Sequence, residues 1–332
     1  MKSAPAAHSL LTPEQLAAVR TRSDAWGIWL VVHAWGVIAG SMALVAWLPN
    51  PLTWGLAVML IGSRQLGLLI LMHDGAHGML CRTPWLNDFL VQWGCAYPML
   101  ADAPTYRRYH LQHHARTMQD DDPDLVLTGH YPISRASLRR KLTRDLLGRT
   151  GFAQRRAQVQ AALGPAAAGW PARLRRLGAQ LGRPLAVNAG VFVVLAATGH
   201  WLFYFTLWLL PALTWQQAVL RIRNIAEHAV VPDRNDPFRN ARTTEASWLE
   251  RVFVAPYWVN YHTEHHLLMW VPCYRLPRLR EFLFANGHGA RMLSAHGYLQ
   301  VLRDVTVADS ERSEPPRRAR AMGTFSEGFR EA

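Results

Sequence analysis

The stretch "LGLLILMHDGAH", Leu66–His77, decides how the rest of the chain is read. An uncharged run ends in two histidines four residues apart, with Asp74 between them. The run reaches far back, because between Trp26 and Met72 the only charged residue is Arg64. Two spans fit, Trp26–Leu48 and Leu52–Met72, joined by the break "PNP" at Pro49–Pro51. Each supplies the ~20 residues that a hydrocarbon core requires. The quoted stretch is therefore where a membrane helix leaves the bilayer. At that point it presents two imidazoles from one face.

A second uncharged block runs from Pro184 to Leu220, with a polar break at Thr198–His200. It reads as another hairpin, Pro184–Gly199 and Trp201–Leu220, with a first leg at the short end of the spanning range. A buried soluble hairpin is the weaker reading, since soluble domains rarely bury four uncharged runs of this length. Four spans place both termini and the middle segment on one side. The short turns near Asn50 and His200 carry no Lys or Arg. The opposite flanks carry Arg20, Arg22, Arg173, Arg175, Arg176, Arg183, Arg221 and Arg223. The positive-inside rule makes that side cytoplasmic.

Half of the 332 residues are hydrophobic, and Lys+Arg number 36 against 23 Asp+Glu. That balance fits a membrane protein with a basic water-facing side and argues against a nucleic-acid binder. Arg135–Arg183 holds twelve basic residues and one acid, Asp145, with Leu138, Leu142 and Leu146 four apart. An amphipathic helix on anionic lipid is expected there, with a solvated helical face as the alternative. Cys81, Cys95 and Cys273 show no metal-binding spacing and are expected to be free thiols. Residues 1–25 are expected to form an N-terminal cytoplasmic segment without a cleavable signal, 26–303 the membrane domain, and 304–332 a disordered tail.

The histidines are unevenly spread. His73 and His77 in "HDGAH", His110, His113 and His114 in "HLQHH", and His262, His265 and His266 in "HTEHH" all follow helical spacing. "NIAEH" adds Asn224 and His228 at i, i+4. His8, His33, His130, His200, His288 and His296 follow no such pattern and read as ordinary residues. Nine imidazoles exceed the four ligands of one zinc. Two metals fit the count, with Asn224 holding a water. Iron is preferred, because a partly open all-nitrogen shell can bind and reduce O2.

These boxes resemble the three histidine boxes of the membrane fatty acid desaturase family, and "NIAEH" resembles the element that supplies its ninth imidazole. The similarity runs from about Met59 to Phe284 and includes "DDDPDL" (Asp120–Leu125) and "VNYHTEHHLLMWVPCYRLPRL" (Val259–Leu279). Within the family the chain is similar to bacterial desaturase-like proteins, including rhizobitoxine-type amino acid desaturases. The resemblance implies an all-α integral membrane fold: four transmembrane helices in two hairpins, below a cytoplasmic helical cap holding a dimetal site. It also implies a reaction in which O2 and two external electrons remove two vicinal hydrogens from an unactivated chain. The expected cofactors are two iron ions, with O2 as co-substrate, and the expected substrate is a fatty acyl chain from the bilayer. Hydroxylation or ketolation of a lipid, alkane or carotenoid shares the first hydrogen abstraction, and non-catalytic metal binding remains a third reading.

Asp74, Glu227 and Glu264 either orient the imidazoles from behind or face solvent. The acids Asp120–Asp124 read as a turn and helix cap that could also pair with the histidine-bearing helices. Arg64 either snorkels out of the bilayer or meets a substrate headgroup. Trp47, Trp54, Trp201 and Trp215 read as interfacial aromatics, and Leu268–Leu279 as a turn lining the entrance or packing the cap. The chain has no haem-binding His-Pro-Gly-Gly, no GxGxxG and no ferredoxin-type Cys cluster. Electrons are therefore expected from a ferredoxin or a cytochrome b5-like protein docking on the basic face.

Overall fold

The computed structural model describes residues 5–308. The described residues are mostly helical, with strands only as the two-residue pairs Ile133–Ser134 with Thr306–Val307 and Thr243–Thr244 with Ser294–Ala295. Three helices are long and apolar enough to cross a membrane: α1 (Asp24–Trp47), α2 (Pro51–Ala76), and a stretch from Ala166 to Ala197. Between α1 and α2 the Asn50 side chain accepts from Leu52 N and Thr53 N, and Pro51 takes the first helical position. That cap makes the hairpin turn tight. The other ends of α1 and α2 meet where Asp24 accepts from Thr83 N and Thr83 Oγ1, each at 2.8 Å.

Large apolar side chains point outward along these helices. Leu52 is 85% exposed, Trp47 81%, and Trp29, Val32, Val193, Val194 and Trp201 are at least half exposed. A soluble domain would not present such a belt to water. Inside, the segment Pro84–Met99 packs against α2: a short helix, a π-helical stretch Leu90–Ala96 and a 3-10 turn. Val91 lies so close to Gly75 that a Cβ there would sit 2.0 Å from its side chain. Asn87 Nδ2 donates to Gly75 O at 3.0 Å.

Further helices are α3 (Ala103–Arg116), α4 (Arg135–Leu146), α5 (Arg149–Leu163), α7 (Trp215–His228), α8 (His262–Leu267) and α9 (Leu276–Ala285). Between α5 and α7 lies α6 (Gly169–Ala197), and here the expected Pro184–Gly199 leg is corrected. Pro184 lies inside a 29-residue helix that begins in the arginine-rich segment. At 1.5 Å per residue it is roughly 43 Å long, enough for the hydrocarbon and the headgroup layers together. The expected leg Trp201–Leu220 is not one helix. It comprises Trp201–Phe203, a π-helical Tyr204–Leu209 and Leu210–Leu213, ending at Thr214 before α7. Pro211 lacks an N–H, and the Thr206 and Thr214 hydroxyls donate to the carbonyls of Leu202 and Leu210. Both effects interrupt a regular ladder.

Buried polar contacts join the layers. Asn188 of α6 donates to Tyr97 O and Pro98 O at 3.2 Å and accepts from Trp208 Nε1 at 3.0 Å. Arg64 does not snorkel: it is 6% exposed, donates to Val252 O, and lies 5.5 Å from the Tyr257 ring centroid. Trp215 is no interfacial aromatic either, since its Nε1 donates to Ser63 Oγ at 3.0 Å against Gly62. Trp54 packs edge-on against Phe203 at 5.6 Å.

Cys81, Cys95 and Cys273 are free and buried. The N-terminal segment contains helices Ala7–Leu10 and Pro13–Arg20, with Leu10, Leu11 and Val19 buried. Of the expected tail 304–332, residues from 309 onward lie outside the described residues. Asp304 ends a helix, and Thr306–Val307 pairs with Ile133–Ser134.

The lone acid of the basic segment, Asp145, is fully buried between α4, α5 and α7. It accepts from Arg221 through both oxygens and from Thr150 Oγ1. Removing it leaves Arg221 without its counter-charge. Asp145→Ala should destabilise the fold by about 3 kcal/mol. The expected readout is a fall of several degrees in the melting temperature of detergent-solubilised protein. An unchanged melting temperature would show that the pair does not hold α7.

Candidate metal centre

The nine histidines come from four helix ends that meet at one place. The C-terminal end of α2 supplies His73 and His77, α3 supplies His110, His113 and His114, α7 ends on His228, and α8 supplies His262, His265 and His266. They form two groups, and within each group the potential ligand atoms lie within 4.8 Å of one another. One group is His73, His77, His110, His114 and His265; the other is His113, His228, His262 and His266.

Helical geometry explains the division. Residues four apart lie about 40° apart around a helix axis, whereas neighbours lie about 100° apart. In α3, His110 and His114 turn to the five-histidine group and His113 to the other. In α8 the roles reverse: His262 and His266 turn to the four-histidine group and His265 to the first. These two helices are thus shared by both groups, and the His114 and His266 rings stack across the divide at 4.3 Å.

The ring nitrogens converge. His114 Nε2 lies 2.9 Å from His110 Nε2 and 3.0 Å from His265 Nε2. His262 Nε2 lies 2.8 Å from His228 Nε2 and 3.0 Å from His266 Nε2. Two ligands at a right angle about a metal, with bonds of roughly 2.0–2.1 Å, stand about 2.8–3.0 Å apart. Hydrogen bonding satisfies this arrangement poorly, because a neutral imidazole nitrogen either donates or accepts and cannot do both. The buried Nε2 atoms of His73 and His77 have no hydrogen-bond partner among the described residues. The donor set therefore fits two metal ions.

Each imidazole of the four-histidine group is oriented from behind. His113 Nδ1 donates to Asp122 Oδ1 at 2.8 Å, with Asp124 Oδ2 at 3.6 Å. His228 Nδ1 donates to Asn240 O at 3.1 Å. His262 Nδ1 faces Glu227 Oε1 at 3.4 Å, and His266 Nδ1 lies 3.3 Å from Thr117 Oγ1. Such bonds fix the tautomer that leaves Nε2 free as a ligand. In the five-histidine group, the Tyr106 ring stacks on His110 at 5.2 Å.

Burial keeps the cluster neutral. It holds His110, His114, His262, His265 and His266 well below the usual imidazole range, with the neighbouring imidazoles adding to the effect. Burial takes His77 down to about 4 and His228 to about 3. His113 runs the other way: burial lowers it, but the carboxylates of Asp122, Asp124 and Glu227 together more than offset this and raise it. Burial pushes Glu227 up to about 7, although Arg223 pulls against it.

Among the expected supporting acids, only Glu227 reaches an imidazole, and it also accepts from Arg223 Nε at 2.6 Å. Asp74 instead accepts from Cys273 N at 3.1 Å. Glu264 accepts from Thr243 Oγ1 and from Arg280 Nη1. Asp74 thus holds backbone, and Glu264 a hydroxyl and a guanidinium. Asn224 lies one turn before His228, half-buried on α7. The acid run does more than cap a turn, since Asp122 holds His113 and also accepts from Met118 N and Asp124 N. Its tight turn and sequence proximity to "HLQHH" were the only signals. Asn240 and Thr117 act through a backbone carbonyl and a hydroxyl, and neither has a sequence signature. The six other histidines belong to neither group.

A family model described as fatty acid desaturase matches residues 49–294 of this chain. Among curated proteins, the dihydrorhizobitoxine desaturase of Bradyrhizobium elkanii is 25% identical over 301 residues, covering 87% of this chain and 83% of that protein.

Two outcomes follow from this geometry. Asp122→Asn should weaken metal binding about 10–100-fold by releasing His113, while Glu264→Gln changes it much less; chelator competition separates the two. For metal-free protein, the unfolded imidazoles titrate near pH 6.5 and most folded ones below it. The unfolded state thus takes up more protons as pH falls. Stability is complete above about pH 6.5 and should be lost progressively toward pH 4. Melting temperatures measured across that range provide the check, and a flat profile contradicts it.

Proposed function

The chain belongs to the fatty acid desaturase family and is an oxidoreductase of desaturase type, and from that premise we propose that it is an O2-dependent di-iron membrane desaturase. The observation that carries this reading is the division of nine imidazoles into groups of five and four that share α3 and α8. Iron in these sites, supplied with two electrons, would turn O2 into an oxidant able to take hydrogen from an unactivated C–H bond. The balance is R–CH2–CH2–R′ plus O2, two electrons and two protons, giving R–CH=CH–R′ and two waters.

The chain's own contribution is placement and exclusion of water. The helix ends fix the imidazoles, the outer hydrogen bonds fix the tautomers of the four-histidine group, and burial keeps most of the nine unprotonated. Asn224, near His228, would hold a water at the four-histidine site. The proposed arrangement in the bilayer has four spans in two hairpins, with α1, α2 and α6 joined by the interrupted helical segment 201–220. The histidine-bearing cap, both termini and the arginine-rich segment then face the cytoplasm in a bacterial inner membrane.

The proposed substrate is a fatty acyl chain entering from the bilayer. The electron donor would be an acidic ferredoxin or a cytochrome b5-like protein steered by the basic face. The same arginines would rest on anionic lipid. Supporting this, Arg135 and Arg139 line a groove of about 360 Å³ together with Leu138, Leu142 and Leu146. A second reading, a polar substrate of the kind named in the Bradyrhizobium elkanii relative, draws support from the buried chain beside α2. There Arg64 lies against Tyr257, whose hydroxyl is 3.0 Å from His33 Nδ1. A purely apolar acyl slot has no need of these groups.

Lipid and metabolite profiles of cells with and without the gene, grown in air, test both readings. The expected outcome is a new species two hydrogens lighter than its precursor, with about two irons per purified chain. Gain of oxygen instead would indicate hydroxylation, and a single zinc per active chain would exclude the di-iron reading. His113→Ala and His265→Ala should each abolish the product.

A further inference from the structure

Residues Asn240 to Thr244 run as a strap between α7 and α8, and each of them holds the chain at one of those two helices. Asn240 O accepts from His228 Nδ1, and Ala241 O accepts from Thr263 Oγ1 at 3.0 Å. Thr243 Oγ1 donates to Glu264 and accepts from Thr263 N at 3.2 Å. Thr244 exchanges two bonds with Asn260, just before α8: its N–H donates at 3.0 Å and its carbonyl accepts from Asn260 Nδ2 at 2.9 Å.

Arg242 sits at the centre and is buried. Its Nη1 donates to Ala226 O at 3.0 Å, and its Nη2 to Ala229 O at 2.9 Å and Val230 O at 3.1 Å. Its backbone N donates to Glu227 O at 2.8 Å. Because α7 ends at His228, the carbonyls of Ala226 and Glu227 lie in its last turn, which lacks intrahelical donors, and those of Ala229 and Val230 lie just past it. Among the described residues Arg242 has no carboxylate within salt-bridge distance; the Asp304 carboxylate favours its charge from farther off, and that charge also faces the negative end of the α7 dipole. Burying a guanidinium with no directly paired carboxylate is costly. What it achieves is a fixed end for α7, and the last residue of that helix is a member of the four-histidine group.

We propose that Arg242 is a positioning residue for the four-histidine site. It clamps the end of α7 so that His228 meets His262 and His266 of α8 at one point. The proposal rests on the reading of the two groups as metal sites. It carries an asymmetry, because the five-histidine group takes nothing from α7 and only His265 from α8. Loosening the clamp therefore weakens one site and spares the other. A lysine keeps the charge but loses the planar fork that reaches three carbonyls at once.

The test uses the full chain in detergent, titrated with Co2+ against a chelator, with the cobalt absorption band as the readout. Arg242→Lys is placed on two backgrounds: His265→Ala, which retains the four-histidine group intact, and His262→Ala, which retains the five-histidine group. Cobalt affinity should fall about 10–100-fold on the first background and stay within about twofold on the second. Equal weakening on both, as from general loosening of the fold, overturns the clamp, and so does no weakening on either. A wild-type chain that binds no Co2+ refutes the metal-site reading itself, and the clamp with it.

Discussion

Convergence of unprotonated Nε2 lone pairs on two points is the constraint on which the rest of the structure depends. Neutral imidazoles at 2.8–3.0 Å have little reason to remain together unless something positive lies between them. Protonation would drive them apart, so the site must be dry enough to hold their pKa values down. It must also be rigid enough to hold their directions. Burial supplies the first condition for most of the nine, and outer hydrogen bonds supply the second for the four-histidine group.

Layers farther out serve the same end. The α1–α2 hairpin delivers His73 and His77 from the end of a helix whose start is fixed by Asn50 and Pro51. Gly75 lets Val91 close against α2 between those two histidines. Asp145 binds α4 and α5 to Arg221 of α7, seven residues before His228 on that helix. Each contact is far from the ring nitrogens, yet an error in any of them would be carried along a stiff helix to its end.

Much of this was legible in the sequence, for identifiable reasons. Helical spacing of His73/His77, His110/His113/His114 and His262/His265/His266 survives any tertiary detail, because the facing of residues on a helix is local. The two long runs ending in "PNP" and "HDGAH" correspond to two helices long and apolar enough to cross a membrane. The second hairpin was less legible. Pro184 and the arginines before it look like a boundary, but α6 continues through them because its basic half need not lie in hydrocarbon. The segment after His200 has the composition of a span, while Pro211 and the back-bonding threonines break its regularity. Supporting contacts were least visible. Asp74 and Glu264 sit inside the boxes yet turn to Cys273 N and to the Thr243 and Arg280 side chains, whereas Asp122, outside them, holds His113. Proximity in sequence and proximity in the fold coincide along a helix face and diverge beyond it.

Charge gives the acids their place. An all-imidazole shell contributes no negative charge, so a dication in either group would remain largely uncompensated in a low-dielectric setting. Such a setting favours the lower oxidation state of a redox metal more than a carboxylate shell would. The acids that contact the cluster do so behind the imidazoles: Asp122 with Asp124 at His113, and Glu227 at His262. All of these lie on the four-histidine side. Glu227 is in turn shared with Arg223, which reduces what it offers. The two groups therefore differ in electrostatics as well as in number: one has five imidazoles, the other four with a carboxylate one hydrogen bond away. A dication in the four-histidine group would be the better compensated and the less fully ligated of the two.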